Sequence, residues 1–251
     1  MRQLRPIRPN LLICICIMGH VQTPTLVRDG YLACDRVHLP DAIRAALNKL
    51  LLSRPVGLSY NSGRRGMVFH PSMLTAQQWA CIFPPEYIHE LERYLGNDVE
   101  VLRTEVISVP AHSDIQHTHR DHSLGPRVSI CVAISIDPRT NVGTLLIPGS
   151  HAAGDPSPLG ELVPSATTYL MYDTHTFHAG CGNRTDMPNN SRIFVTFCSS
   201  SLTCKQKGAL YRATGQISYK SVTFRSLLVP LPLALTGRHT ATSAKLTRGA
   251  R

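Results

Sequence analysis

Acidic residues are missing from both ends of this 251-residue chain: none occurs before Asp29 and none after Asp186. The formal net charge of +10 therefore belongs to the ends, with four arginines in residues 1–28 and nine Lys or Arg in residues 205–251. Thirteen basic and sixteen acidic residues remain between them, so the central part is slightly acidic. Basic ends without an RNP-like aromatic motif, zinc-finger spacing or a basic helix do not point to nucleic acid as the partner. Long apolar runs are lacking too. "MRQLRPIRPNLLICICIMGHV" has a basic start and a short apolar stretch, which resembles a targeting signal without a small-x-small cleavage site. "SLLVPLPLALTG" is broken by Pro230 and Pro232. Both fall short of the ~18 apolar residues that a membrane-spanning helix needs. The eight cysteines form no C-x-x-C pair and no dense framework, and several lie in apolar runs as small hydrophobes. A reducing, cytoplasmic setting is expected, with secretory or organellar targeting by residues 1–20 left open.

Strand-helix-strand alternation is also absent, which excludes Rossmann and TIM arrangements. Two helices come early. "HLPDAIRAALNKLLLSR" opens on Pro40 and Asp41 and carries Ile43, Ala46, Leu47, Leu50 and Leu51 at helical spacing. "PPEYIHELERYLGN" opens on Pro85 and Glu86, places Ile88, Leu91 and Leu95 on one stripe, and stops at Gly96. Between the helices, "SYNSGRRGMVFHPS" reads as an exposed loop or hairpin, while Trp79 and Tyr94 read as core residues. From Val99 onward the pattern changes to β-rich runs: "VEVLRTEVISV", "RVSICVAISI", "GTLLIP", "TTYLMYD" and "RIFVTFC". Short strands between Pro, Gly, Asn and Asp turns predict an antiparallel sandwich or barrel with the two helices packed on it. After Cys204, "ALYRATGQISYKSVTF" is expected to add a hairpin, and the last fifteen or so residues to be disordered.

The informative stretch is "HTHRDHSLGPRVSICVAISID", residues 117–137. In an extended chain residues two apart share a face, so His119 and Asp121 can converge on one ion. A third member is available from "YDTHTFHAGCGN", which offers His175 and His178. Two imidazoles and one carboxylate on one face of a metal, with open positions opposite, suit non-haem Fe(II) and O2 activation. His112-x-Asp114 is a competing H-x-D pair, but no strand follows it directly. The tripeptide His119-Arg120-Asp121 also matches a protein-kinase catalytic loop; Pro126 stands where that loop needs its Asn, and neither a Gly-rich loop nor DFG occurs. His117 and His122 read as rim groups, and His151 as a turn residue. Arg192, at the head of "RIFVTFC", requires an anion, and its planar fork fits a carboxylate such as the distal one of 2-oxoglutarate. Thr196 follows on the same strand face.

HRD, then "GTLLIPGSH", then "FHAGCGNRTDMPNNSRIFVTF" resemble the phytanoyl-CoA dioxygenase-like branch of the Fe(II)/2-oxoglutarate-dependent oxygenases. "GYLACDRVHLPDAIRAALNKLL" is similar to that family's opening strand and first helix. The resemblance covers about Gly30 to Cys198. It implies a mainly β fold with flanking helices around a double-stranded β-helix (jelly-roll, cupin-like) core. It also implies His119, Asp121 and His178 as catalytic iron ligands and Arg192 as the 2-oxoglutarate anchor, beside which Thr196, by its place on the strand, is either a helper or a plain β-branched strand residue. The implied reaction consumes O2 and 2-oxoglutarate, releases succinate and CO2, and hydroxylates a small molecule whose identity the chain does not name. Two departures occur: "NVG" at Asn141 replaces the usual Asn-Gly juncture, and "TDMPN" lengthens the spacing to Arg192, which makes Arg184 the competing anchor.

The expected organisation is a basic and apolar segment over 1–28, the dioxygenase domain over 29–204, and a basic extension over 205–251. A jelly-roll module that binds metal or ligand without catalysis is the alternative, and a nucleic-acid-associated protein using its tails a more distant one. If the tail is merely solvated, deleting residues 238–251 leaves turnover unchanged; a salt-steep loss of nucleic-acid binding on deletion would show the tail to be a binding surface.

Overall fold

A computed structural model describes residues 25–34, 39–53, 58–59, 64–136, 143–153, 163–165, 169–183, 186, 189–213 and 222–228. The expectations for residues 1–24, for Asn141, for Arg184 and for the terminal tail lie outside this set, as does the Fe-independent question of targeting. Among the described residues no helix is long and apolar enough to cross a membrane.

The helices are α1 (Leu26–Asp29), α2 (Asp41–Ser53), α3 (Ala76–Ile82), α4 (Pro85–Leu95), α5 (Cys204–Ala213) and α6 (Phe224–Leu228). The strands are β1 (Tyr31–Cys34), β2 (Leu58–Ser59), β3 (Arg65–Val68), β4 (Val99–Pro110), β5 (Ser129–Ser135) and β6 (Thr144–Leu146), followed by β7 (Val163–Ser165), β8 (Tyr169–Asp173), β9 (His178–Gly180), β10 (Asn189–Ser199) and β11 (Val222–Thr223). Two antiparallel sheets result. The larger runs β1-β8-β5-β10-β4-β3-β2, with β11 on β4, and the smaller runs β7-β6-β9. This is a jelly-roll with helices on the outer face of the larger sheet, as expected.

Both predicted helices form where their capping and stripe residues place them. Ile43 and Leu47 of α2 and Leu91 and Leu95 of α4 are buried, and the chain leaves α4 through Gly96 at φ 101°, where a side chain would be strained. A third helix, α3, is closed by a capping box in which Thr75 Oγ1 accepts from Gln78 N–H and Gln78 Oε1 accepts from Thr75 N–H. It delivers Trp79 and Phe83 to an aromatic cluster. The Phe83 ring meets Tyr169, Phe197 and Phe224 edge-on at centroid distances of 6.4, 5.3 and 5.1 Å and stacks on Trp79 at 5.9 Å.

Three expectations are corrected. "SYNSGRRGMVFHPS" does form the hairpin expected, β2 pairing with β3, but it is not exposed throughout: β3 also pairs with β4, and Arg64, Met67 and Phe69 are buried. The hairpin expected after Cys204 begins instead as helix α5, Cys204–Ala213. Arg192 is inside β10 rather than at its head, because pairing with β4 already starts at Asn189 opposite Pro110.

One irregularity decides what faces the cleft between the sheets. Opposite Thr196 and Phe197, β4 offers Arg103 and then Val101, so Leu102 is an extra residue. A bulge reverses the alternation of faces. Val99 and Val101 face the helix-side core before it, whereas Arg103, Glu105 and Ile107 line the cleft after it. On β10 the same division is regular: Ile193, Val195 and Phe197 pack in the core, and Arg192, Phe194 and Thr196 line the cleft.

Because Phe83 is 1% exposed at the centre of its ring cluster, Phe83→Ala leaves a cavity costing about 3–5 kcal/mol. Urea unfolding checks this; a loss below about 1 kcal/mol would mean that the cluster does not hold the helices to the sheet.

Candidate metal centre and its cavity

The H-x-D segment belongs to no strand. It crosses between β4 and β5 and is stitched to β9 by a reciprocal backbone pair: His119 N–H donates to His178 O and His178 N–H donates to His119 O, each 2.9 Å. Asp121 N–H then donates to Thr174 O at 3.0 Å. Further along, Leu124 N–H donates to His122 Nδ1, so the proton of His122 lies on Nε2, directed at Thr174 Oγ1 (2.7 Å) and Ser129 Oγ (3.0 Å). Asp173 completes the attachment by accepting from Tyr94 O–H and from the backbone N–H groups of Arg127 and His175. These bonds hold residues 119–127 against the turn that joins β8 to β9.

Three side chains converge there. Asp121 Oδ1 lies 3.7 Å from His119 Nε2 and 3.5 Å from His178 Nε2, and one ligand atom from each residue falls within 4.8 Å of the others. The tautomers follow from the hydrogen bonds. His119 Nδ1 is 2.8 Å from His117 O, and His178 Nδ1 is 2.8 Å from Thr176 O. A carbonyl only accepts, so each Nδ1 carries the proton and each Nε2 presents its lone pair to the cluster. This is how ligating histidines are oriented by their surroundings.

The local electrostatics keep Asp121 ionised and His119 neutral. Burial pushes the Asp121 carboxyl upward, but the neighbouring His178 and His119 outweigh it, and the net is below the usual carboxylate range. Burial and then the charge of His178 pull His119 down. For His178 burial acts downward and Asp121 prevails, giving a net rise. An ionised carboxylate and two oriented nitrogens form a donor set that a divalent cation fits.

The cluster opens into a cavity of about 280 Å³ between the two sheets. Arg192 lines it and is 5% exposed. Its Nη1 donates to Thr144 Oγ1 at 2.7 Å, its guanidinium lies 5.0 Å from the Phe194 ring centroid, and its Nε has no hydrogen-bond partner. Burial lowers its pKa, and no carboxylate pairs with it among the described residues. Thr196 also lines the cavity at 8% exposure.

The competing residues lie elsewhere. His175 stacks on His122 and directs Nδ1 to the His122 carbonyl, outside the cavity lining. His112 is at the surface beside Asp186, and Asp114 is exposed. His151 packs in its turn with Nε2 toward Val27 O. Arg120, the middle residue of HRD, does line the cavity; it is half-buried, its Nη2 donates to Ser150 O and Ala153 O, and its guanidinium lies 4.1 Å over the Phe177 ring.

Sequence reasoning missed Arg64, Thr144, Tyr172 and the buried Arg103–Glu105 pair (2.6 Å), all of which line the cavity. Arg103 and Glu105 read as the polar half of a strand, and only the bulge turns them inward. For Arg64 the adjacent "GRRG" offered nothing but a loop composition.

No family model matches the chain, and no curated protein matches it. Solved structures do. AviO1 from Streptomyces viridochromogenes Tue57 is 18% identical over 71% of this chain and 93% of its own, with a TM-score of 0.53. The epimerase SnoN, in complex with Fe3+, alpha ketoglutarate and nogalamycin RO, is 17% identical over 70% of this chain and 81% of its own, at a TM-score of 0.55. HygX from Streptomyces hygroscopicus, with nickel and 2-oxoglutarate bound, is 11% identical over 71% of this chain and 86% of its own, at 0.54. At these identities the likeness establishes the fold.

Asp121→Ala is expected to abolish the binding of one Fe(II) per chain, with Asp114→Ala binding as wild type, both followed by anaerobic calorimetry. The reverse pattern would move the centre to His112 and Asp114.

Proposed function

We propose that this chain is an Fe(II)/2-oxoglutarate-dependent oxygenase that hydroxylates a small molecule. The observation that carries the reading is a pairing within one cavity: an oriented two-histidine, one-carboxylate cluster, and a buried guanidinium, Arg192, with no carboxylate partner among the described residues. The first fits a divalent metal and the second fits the far end of a dicarboxylate. Iron with 2-oxoglutarate supplies the oxidising chemistry: O2 and 2-oxoglutarate yield succinate and CO2, and a substrate C–H becomes C–OH.

The rest is the work of the protein. His119 and His178 hold their Nε2 atoms in place through Nδ1–H bonds to backbone carbonyls, so the ligands need no reorganisation when metal binds. Arg192 binds the distal carboxylate, with Thr144 fixing the plane of the fork and Thr196 adding a hydroxyl on the same wall. Ile107, Phe194 and Tyr172 form apolar stretches of the lining that restrict water around the reacting atoms. The similar solved proteins include an epimerase and a carbocyclase described as alpha ketoglutarate dependent. Hydroxylation is preferred here because the motif order resembles the phytanoyl-CoA dioxygenase-like branch, from HRD through PGSH to Arg192.

Succinate formation from 2-oxoglutarate, with Fe(II) and O2 supplied and no added substrate, tests the reading. Wild type is expected to release succinate slowly, and Arg192→Ala to raise the KM for 2-oxoglutarate about a hundredfold or more. Breaking a buried charge pair costs about 3–5 kcal/mol at about 1.4 kcal/mol per decade. Arg192→Lys should fall between, since it keeps the charge and loses the fork. An iron-loaded protein that never yields succinate would overturn the enzyme, and an unchanged KM in Arg192→Ala would overturn the anchor.

A further inference from the structure

A second guanidinium is buried in the same cavity. Arg64, just before β3, is 2% exposed and lines the cavity with Arg192. Its Nη2 donates to three backbone carbonyls, those of Cys181 (2.7 Å), Gly180 (2.8 Å) and Asp114 (3.3 Å). These satisfy hydrogen bonds but carry no charge to offset its own. Its Nε has no hydrogen-bond partner, and no carboxylate pairs with it among the described residues. Glu105 is already held by Arg103, and Asp121 belongs to the metal cluster.

Arg64 sits between the ligand cluster and the anchor, its charge felt at both Arg192 and His119. It packs so closely on the end of β9 that a Cβ at Gly180 would lie 2.4 Å from its Nη1, and Gly180 is two residues past His178. A purely structural tie is an incomplete account. A neutral amide would satisfy two of these carbonyls without burying a cation, whose desolvation is costly unless a counter-charge is supplied.

Charge bookkeeping identifies what is missing, and it rests on the oxygenase reading above. A divalent metal, the Asp121 carboxylate and the two carboxylates of 2-oxoglutarate leave one negative charge, which Arg192 balances. Arg103 and Glu105 balance each other. Arg120 also lines the cavity without a carboxylate partner, but it is only half-buried and solvent screens it, so Arg64 is the fully buried guanidinium left without a counter-charge. We infer that Arg64 receives an anionic oxygen group of the substrate, a carboxylate or a phosphate, and that this enzyme therefore acts on small anions. Its fork suits either group. Burial beside β9 keeps that group inside the cavity rather than at the protein surface.

Calorimetry on the full chain tests this without turnover. Protein saturated with Mn(II) and 2-oxoglutarate is titrated with sulfate, a stable phosphate-like dianion, and separately with acetate. Wild type is expected to bind one of these anions per chain. Arg64→Gln should weaken that binding by about tenfold or more while the affinity for 2-oxoglutarate stays within about threefold. Arg64→Lys should retain part of it, so the role stays open to refutation if the Gln variant does not fold. Preference for sulfate indicates a phosphate-bearing substrate, and preference for acetate a carboxylate. Three outcomes overturn the inference: wild type binding neither anion, Arg64→Gln and Arg64→Lys both binding them as wild type does, or Arg64→Gln losing 2-oxoglutarate affinity in place of anion affinity. If wild type binds neither Mn(II) nor 2-oxoglutarate, the oxygenase reading fails on its own, and the anion titration in an Arg192→Ala background still decides for or against Arg64.

Discussion

The candidate centre depends on two backbone hydrogen bonds, those exchanged by His119 and His178 at 2.9 Å each. They join an irregular segment to a three-residue strand, and neither piece has much stability by itself. Antiparallel pairing sets the two histidines directly opposite each other, where side chains share a face. The ring centroids are 4.5 Å apart in consequence. Asp121, two residues on, reaches the same point because its own N–H is held by Thr174. Ligand geometry is thus a property of the backbone pairing, and the His122, Ser129, Thr174 and Asp173 bonds serve to keep that pairing in register.

The larger sheet supports this by dividing its two faces between different tasks. Toward the helices it is mainly apolar, with Val106, Ile130, Val132, Ile193, Val195 and Phe197 against Leu47, Trp79, Phe83 and Leu91, and its buried polar groups Thr104 and Asp173 are hydrogen-bonded to Phe69 O and Tyr94 O–H. Toward the cleft it carries charge. Buried charges cost several kcal/mol each unless paired, so a face bearing Arg103, Glu105 and Arg192 is stable only because the helix-side core is extensive and two of the three charges are paired. The unpaired remainder is confined to the cavity, where ligands can supply the counter-charge.

Legibility in the sequence followed periodicity and failed where geometry departs from it. The helices α2 and α4 and the strands β4, β5, β6, β8 and β10 were readable because caps, stripes and β-rich runs are local signals. The convergence of His119, Asp121 and His178 was anticipated from the same-face rule and the family resemblance, although the segment proved to be a bridged loop rather than a strand entrance. The resemblance favoured His178 over His175, and the reason is visible only in the fold, where the bridge to His119 turns His178 toward Asp121. Helix α3 was missed although Thr75 and Gln78 spell a capping box. Arg103 and Glu105 read only as the polar half of a strand: the bulge at Leu102, marked in sequence by nothing more than the adjacent apolar pair Val101-Leu102, reverses their face toward the cleft. Arg64 was hidden for a related reason, because its burial comes from contacts with residues about 50 and 116 positions away.

That long-range contact links the two functional halves of the cavity. Arg64 holds the carbonyls of Gly180 and Cys181, immediately beyond His178, and the Gly180 N–H is held in turn by Gln116 Oε1, just before the H-x-D segment. A Cβ at Gly180 would meet Arg64 Nη1 at 2.4 Å and Gln116 Oε1 at 2.6 Å, so any side chain there would displace the ends of both. The strand bearing the distal histidine is therefore clamped between a cationic side chain and the arm that bears the other two ligands. An anion that drew Arg64 toward itself would act on the carbonyls that fix β9, and through the His119–His178 pairing on the ligand cluster. In the proposed reading, occupancy of the anion position and the geometry of the metal centre would be connected through these few contacts.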